Sequence, residues 1–154
     1  MQVKICGLTR REDAQTALCL GVTAVGCVFY PQSSRSVTVE EAKKLSAGIT
    51  GLATFVALFV NPNEKEVGSV LEQLPVHMLQ FHGLETAEFC RQFGRPYIKS
   101  VPMNGHTDLW QWDRDYYDAA ALLLDTASGG QFGGSGRSFD WSLIPKELAK
   151  RVVL

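Results

Sequence analysis

The sequence predicts an α/β fold of the (βα)8 TIM-barrel type, and three observations support this prediction. Short apolar runs alternate with segments that carry helical signals, at about 25 residues per βα unit. The runs are continuously apolar, which is typical of buried parallel strands. Polar residues stand at the C-terminal ends of successive runs. In a barrel these ends converge on one mouth, whereas in a doubly wound sheet only those beside a switch point would meet, so the barrel is favoured.

The predicted strands are the apolar runs, taken in chain order. Six runs are complete, and a seventh begins near the end of the sequence. They cover residues 2–6, 24–29, 54–60, 76–81, 97–101, 119–124 and 151–154. The sequence therefore supplies about six βα units and the start of strand seven.

The predicted helices lie between these strands. Thr9 followed by Glu12, and Thr38 followed by Glu41, match the capping-box pattern that starts a helix. Further helices are predicted at residues 63–74, 85–93 and 139–149, the last with Pro145 as a weak point. Because no linker or low-complexity tract marks a second unit, residues 1–154 are expected to form a single, incomplete barrel domain.

Composition and charge argue against several classes of protein. The chain has 154 residues, of which 45% are hydrophobic, enough for one domain with a substantial core. The formal net charge is -1 and the basic residues are scattered, so we expect no nucleic-acid partner and no anionic membrane partner. The longest apolar run, residues 52–60, falls short of the roughly 20 residues that cross a bilayer, and no targeting signal is visible.

Cysteine and histidine spacing predicts no metal site. The four cysteines show no C-x-x-C pattern, and the three histidines do not cluster at the spacing of metal ligands. We therefore expect free thiols and a cytoplasmic location.

Two residues at strand ends could carry proton chemistry. Cys6 ends the first strand on the same face as Lys4 and precedes a glycine; it is either a small buried apolar residue or a general base activated by a neighbour. Asp125 ends the sixth strand on the face of Leu123. It either caps the following turn or pairs with a cation, or it is a partly buried acid whose pKa is raised, suited to general acid catalysis.

Other residues at the predicted mouth could bind a ligand. Arg35 is either a solvated surface residue or a bidentate partner for an anion. Gln80 and His82 share one face of strand four and either contact a ligand together or form a structural pair. Gly133, Gly134, Ser135 and Gly136 precede a helix-like segment and could offer backbone N–H groups to an anion.

Taken together, these segments resemble the phosphoribosylanthranilate isomerase family of tryptophan biosynthesis over nearly the whole chain. Each motif is weak alone, but their order and spacing are highly specific. The matching segments are VKICGLT at residues 3–9, VFYP at 28–31 with Ser33 and Arg35, FVN at 59–61, LQFHG at 79–83, LLLDT at 122–126, GGSG at 133–136 and FDW at 139–141.

The resemblance implies a (βα)8 barrel that catalyses an Amadori rearrangement, an isomerisation of the aldose–ketose, intramolecular oxidoreductase type. N-(5'-phosphoribosyl)anthranilate would become 1-(2-carboxyphenylamino)-1-deoxyribulose 5-phosphate. Asp125 would protonate the ribose ring oxygen, and Cys6 would remove the C2' proton. Arg35 would hold the anthranilate carboxylate, and the loop at residues 133–136 would help to bind the phosphate. No metal or organic cofactor is expected.

The sequence departs from the family pattern in two ways. Gln32 and Ser34 stand where the family commonly has a basic residue and a proline or basic residue, and Cys27 replaces a larger residue. The chain also stops at Leu154, whereas a complete barrel generally needs at least about 200 residues. We therefore expect a truncated chain with weak or no activity, because the family's phosphate site is completed by loops after strands seven and eight.

An alternative function follows from the same feature. An unclosed sheet exposes strand edges and apolar surface, which favours association. In this alternative the chain is an inactive fragment that acts as an assembly or binding module. Its open edges would pair with a second copy, as a homo-oligomer, or with a complementing C-terminal fragment.

Overall fold

A computed structural model describes residues 2–49, 51–126, 138–148 and 152–154 of the chain. Its strands follow the predicted order and shift by a few residues at their ends. They are β1 (Lys4–Cys6), β2 (Ala24–Val28), β3 (Thr54–Phe59), β4 (Met78–Phe81), β5 (Tyr97–Met103), β6 (Ala121–Thr126) and β7 (Val152–Val153).

These strands form one parallel sheet in which every strand pairs with the next strand along the chain. Lys4 of β1 and Val153 of β7 line the same two cavities, so the sheet curls until its first and last strands approach each other. A sequential order without a reversal is that of a barrel rather than of a doubly wound sheet. The predicted fold class is confirmed, as a curled part of a (βα) barrel.

Helices connect the strands. They are α1 (Arg11–Cys19), α2 (Val39–Ser46), α3 (Glu64–Gln73), α4 (Ala87–Arg91) and α5 (Leu109–Asp115). The capping box predicted at Thr38 is confirmed, because its hydroxyl accepts from the backbone N–H of Glu41 and the Glu41 carboxylate accepts from that of Thr38. Within the described ranges, no helix is both long enough and apolar enough to cross a membrane.

Two helix predictions are wrong in detail. Arg10, not Thr9, is the N-cap of α1, and it makes no side-chain cap hydrogen bond, so Glu12 falls one position short of the capping-box site. Of the helix predicted at residues 139–149, the described residues 139–148 form only a 3-10 turn at Trp141–Leu143. Pro145 explains this, since a residue before proline is disfavoured in the helical region and Ile144 is extended.

Helix α5 was not predicted from the sequence. Asp108 caps this helix, accepting from the backbone N–H groups of Trp110 and Gln111. The cap residue was the available signal, but the seven-residue helix is too short to show a clear apolar period.

The strands separate two apolar layers, because successive side chains point to opposite faces of a sheet. The larger layer lies between the sheet and the helices and contains Phe55, Phe81, Tyr97 and Leu122, all almost fully buried. The smaller group lies on the inner face and consists of Val28, Leu58 and Val60, with Cys6 and Tyr30 packed against it. The inner group lines the apolar side of a cavity, and polar side chains surround that cavity at the strand ends.

Candidate active site

A cavity of about 280 Å³ opens on the inner face, at the C-terminal ends of the strands. It gathers side chains from strands that are far apart in sequence. Five of the predicted site residues line it: Cys6, Arg35, Gln80, His82 and Asp125. Lys4, Tyr30 and Ser33 line it as well. Gly133, Gly134, Ser135 and Gly136 lie outside the described residues.

Cys6 is the last residue of β1 and is partly exposed at the cavity wall. It faces Gly26 of the neighbouring strand. A Cβ atom at Gly26 would lie 3.1 Å from the Cys6 sulfur and 3.2 Å from the Lys4 ammonium nitrogen. The glycine thus leaves space for the thiol and the ammonium group beside each other, and this role of Gly26 was not predicted.

Arg35 is held against the start of the β1–α1 loop. Its Nη1 donates a 2.8 Å hydrogen bond to the main-chain carbonyl of Cys6, and its side chain lies across Gly7. Its own backbone N–H donates to the Ser33 hydroxyl at 3.1 Å. These contacts fix a planar cation at the edge of the cavity, where it can meet a carboxylate or a phosphate.

Asp125, on β6, makes two hydrogen bonds. Its Oδ2 lies 2.9 Å from Nε2 of His82, and its Oδ1 accepts from the backbone N–H of Thr126 at 2.8 Å. The His82 side chain is 12% exposed and that of Asp125 is 26% exposed, so the bond is partly shielded from water.

The hydrogen bond from His82 lowers the pKa of Asp125 below its usual value, and it outweighs burial, which acts in the opposite direction. The expectation that partial burial raises this pKa is therefore wrong. Asp125 is a carboxylate at neutral pH in the ligand-free site, and any role as an acid requires a proton from elsewhere.

Gln80 lies deeper in the same group, with only 1% of its surface exposed. Its Nε2 is 3.2 Å from Nδ1 of His82. Its carbonyl oxygen, Oε1, is buried and has no hydrogen-bond partner among the described residues. The predicted pair therefore extends into a chain of three side chains, Gln80, His82 and Asp125.

A buried polar cluster behind the cavity was not predicted. Lys99 of β5 is fully buried, and its ammonium nitrogen lies 2.6 Å from the carbonyl oxygen of Gly83 and 2.8 Å from Glu85. Glu85 also accepts from the backbone N–H groups of Asn61 and Gly83. The cluster ties together the segments that follow β3 and β4, next to His82. A lysine within an apolar run was the only signal in the sequence.

The described residues form neither a disulfide bond nor a cluster of metal-ligating side chains. All four cysteines are free. Within the described ranges, no three His, Cys, Asp or Glu side chains come together in a way that could hold a metal ion. The reactive and charged groups that line the cavity include a thiol, a carboxylate, an imidazole and a guanidinium group.

Comparison with known proteins agrees with this geometry. Residues 3–154 match the model of the N-(5'phosphoribosyl)anthranilate (PRA) isomerase family. The N-(5'-phosphoribosyl)anthranilate isomerase of Azotobacter vinelandii is 48% identical over 151 residues, which are 98% of this chain and 73% of that protein.

Solved structures give the same result. Phosphoribosyl anthranilate isomerase from Thermotoga maritima matches with a TM-score of 0.83 and 35% identity, over 93% of this chain and 69% of that one. A phosphoribosyl anthranilate isomerase in complex with reduced 1-(o-carboxyphenylamino)-1-deoxyribulose 5-phosphate matches with a TM-score of 0.76 and 33% identity, over 82% of this chain and 66% of that one. The chain therefore belongs to the N-(5'-phosphoribosyl)anthranilate isomerase family.

Proposed function

We propose that this chain converts N-(5'-phosphoribosyl)anthranilate into 1-(2-carboxyphenylamino)-1-deoxyribulose 5-phosphate, a step of tryptophan biosynthesis. The observation that carries the proposal is the meeting of Cys6, Arg35 and Asp125 in one cavity. These residues bring a proton acceptor, an anion-binding group and a proton donor to a single small molecule.

The proposed roles follow the reaction. Asp125 delivers a proton to the ribose ring oxygen, which opens the ring to a Schiff base. Cys6 removes the C2' proton, and the resulting enol goes on to the aminoketose. No metal or organic cofactor takes part. The partial shielding of Asp125 and the position of Cys6 at the cavity wall support these assignments.

Substrate binding is assigned to residues around the acid and the base. Arg35 holds the anthranilate carboxylate, Gln80 and His82 contact the sugar side of the cavity, and Gly133, Gly134, Ser135 and Gly136 bind the phosphate. The ligand named in the solved relative carries both a carboxylate and a phosphate. The fixed guanidinium of Arg35 supports the first of these contacts.

Activity of the purified chain tests the proposal. Turnover is measured with N-(5'-phosphoribosyl)anthranilate for the wild type, Cys6→Ala and Asp125→Asn. Each variant should lose about 10²- to 10⁴-fold in kcat, the usual contribution of an acid or base. Cys19→Ala is the matched control, because Cys19 is exposed and lies away from the cavity. Slow turnover by the wild type supports the proposal, whereas no detectable turnover, or variants that keep the turnover of the wild type, would contradict it.

We also propose that residues 1–154 act as one domain in the cytoplasm. The single continuous sheet supports one domain. The free cysteines support a reducing compartment, since the sulfur of the proposed base must stay unoxidised to accept a proton.

A second candidate function is assembly through the edges of the sheet, either with a second copy or with a complementing C-terminal fragment. Val3 is 36% exposed and Ile5 is 37% exposed, and both lie on or beside β1, an edge strand of the sheet formed by the described residues. Exposed apolar side chains at a strand edge favour pairing. Mass in solution tests the pairing of copies: a dimer supports it, and a strict monomer at all concentrations contradicts it.

A further inference from the structure

The side chains of Gln80, His82 and Asp125 form a hydrogen-bonded chain that the proposed acid–base roles do not explain. The chain runs from the interior of the sheet to the cavity, with contacts of 3.2 Å and 2.9 Å. Its inner end is the buried Oε1 of Gln80, which lacks a partner in the part of the protein that the structure describes. A buried acceptor without a partner is costly, so it calls for an explanation.

In the described orientation of the Gln80 amide, its Nε2 faces Nδ1 of His82, and this orientation gives the chain one direction. An amide N–H of Gln80 can donate to Nδ1 of His82 only if that nitrogen carries a lone pair. The neutral imidazole then has its proton on Nε2, which donates to Oδ2 of Asp125. Gln80 therefore selects the tautomer of His82 that presents a proton to Asp125.

The partnerless oxygen supplies a second state. Rotating the Gln80 amide by half a turn exchanges Oε1 and Nε2, so that Oε1 faces Nδ1 of His82. In that orientation Oε1 of Gln80 accepts a hydrogen bond from Nδ1 of His82 when Nδ1 is protonated. Nε2 of His82 still donates to Asp125. The amide can thus satisfy both the neutral and the protonated imidazole without movement of the backbone.

We propose that His82 stores the proton for the acid step and passes it to Asp125, and that Gln80 is a positioning residue that supports both charge states of His82. This inference rests on the proposed function, because it supplies the proton for ring opening. The lowered pKa of Asp125 supports it, since an ionised Asp125 needs a proton donor beside it.

The proton transfer is balanced in two steps. In the first, the Nε2–H bond of the imidazolium breaks, its electron pair stays on Nε2, and an O–H bond forms at Asp125. In the second, that proton moves to the ribose ring oxygen as the C1'–O bond breaks. The electron pair of that bond remains on the oxygen, and the nitrogen lone pair forms the C=N bond. Solvent then reprotonates His82.

Nitrogen-15 NMR of the ligand-free protein tests the direction of the chain, because chemical shifts distinguish a protonated ring nitrogen from a bare one. The neutral imidazole of wild-type His82 should show a bare Nδ1 and a protonated Nε2. Gln80→Leu should give mixed tautomers. Gln80→Glu, which can only accept, should place the proton on Nδ1. A proton on Nδ1 of the neutral wild type, or an unchanged spectrum in both variants, would overturn the proposal.

Two controls belong to this measurement. His77 is an internal reference, because its Nδ1 accepts from the backbone N–H of Phe55 at 3.0 Å and is independent of Gln80. Gln92→Leu makes the same change of side chain at an exposed position away from the cavity. Neither the His77 signals nor the Gln92→Leu spectrum of His82 should change.

Kinetics test the use of the stored proton. Gln80→Leu should lower kcat about tenfold, because Gln80 positions His82 for the acid step, whereas loss of its contact with the sugar would change KM.

The outcomes separate this inference from the proposed function. A raised KM with unchanged kcat in Gln80→Leu would assign Gln80 to substrate binding and overturn the relay. Loss of turnover in Asp125→Asn with full turnover in Gln80→Leu would overturn the relay alone. A wild type without turnover would overturn the proposed function and the acid step together, while the hydrogen-bond direction measured by NMR would stand.

Discussion

Arg35 donates a 2.8 Å hydrogen bond to the main-chain carbonyl of Cys6, so the proposed anion-binding group and the proposed base share one point of attachment. The two residues are 29 positions apart in sequence and are brought together by the pairing of β1 with β2. Gly7 completes the contact, because its bare Cα lies under the arginine side chain. A substitution at Gly7 should therefore disturb the position of the Arg35 side chain more than the fold.

The first prediction concerns Gly7→Ala. The added Cβ would lie 2.6 Å from Nη1 of Arg35, so the guanidinium must leave its place. Losing about 1.5 kcal/mol of binding free energy, typical of one hydrogen bond to a charged group, would raise KM about tenfold. Steady-state kinetics with N-(5'-phosphoribosyl)anthranilate measures this effect.

Gly21→Ala is the matched control for Gly7→Ala. Both glycines have a left-handed φ, +79° and +87°, but a Cβ at Gly21 meets no atom within 4 Å. Both variants should lose about 1 kcal/mol of folding free energy to backbone strain, whereas only Gly7→Ala should raise KM. Equal KM values in the two variants would contradict the proposed role of Arg35.

The second prediction concerns thiol reactivity. Burial raises the pKa of Cys27 to about 12, helped by nearby Cys6, and burial also raises that of Cys90 to about 12. Both thiols stay protonated and shielded at neutral pH, so iodoacetamide should not modify them in the native protein. Cys19 is exposed and Cys6 lines the cavity, so both should react. Peptide mass spectrometry before and after unfolding reads all four sites, and labelling of Cys27 at the rate of Cys19 would contradict the described packing.

The third prediction concerns the buried pair of Lys99 and Glu85. Lys99→Met leaves the carboxylate of Glu85 buried without its cation, which should cost about 3–5 kcal/mol of folding free energy in urea unfolding. Lys43→Met is the control, because the Lys43–Glu40 pair is solvent-exposed and should contribute about 0–1 kcal/mol.

A double variant separates the charge from the shape of this buried cluster. Adding Glu85→Gln to Lys99→Met removes the unpaired charge and keeps a carbonyl oxygen for the backbone donors. It should recover part of the lost stability. A Lys99→Met variant as stable as wild type would show that folding stability does not require the charge of Lys99 beside Glu85.

The strands and the mouth of the barrel were predictable from sequence because they depend on local pattern. A continuous apolar run such as β3 is recognisable in the sequence. Thr38 and Asn63 mark the starts of their helices, because their side chains cap them. The 3-10 turn at Trp141–Leu143 follows from Pro145, which outweighed the helical pattern around it.

The electrostatics of the site were not predictable, because they depend on contacts between distant residues. His82 is 43 positions from Asp125 in sequence, and the bond between them reverses the pKa shift that burial alone would cause. Lys99 stands in an apolar run, and only the fold shows that Glu85 meets it there. The role of Gly26 likewise appears only when Cys6 and Lys4 are seen beside it.

The fourth prediction concerns the pH dependence of stability. The hydrogen bond from His82 lowers the pKa of Asp125 in the folded protein relative to its ordinary value of 3.8. A carboxyl whose pKa is lower when folded stabilises the protein above its unfolded value, and this contribution disappears as pH falls through the lower folded pKa. Residue 125 cannot titrate in Asp125→Asn, so the difference in unfolding free energy between wild type and variant should be constant near neutral pH and shrink below about pH 4.

Urea unfolding of both proteins between about pH 7 and about pH 3 measures this difference. Asp140→Asn is the comparison, since the pKa of Asp140 is also lowered, by hydrogen bonds from Ser142, but Asp140 is fully exposed. A difference that grows as the pH falls would show that the pKa of Asp125 is raised in the folded state, and it would restore burial as the dominant effect at this carboxyl.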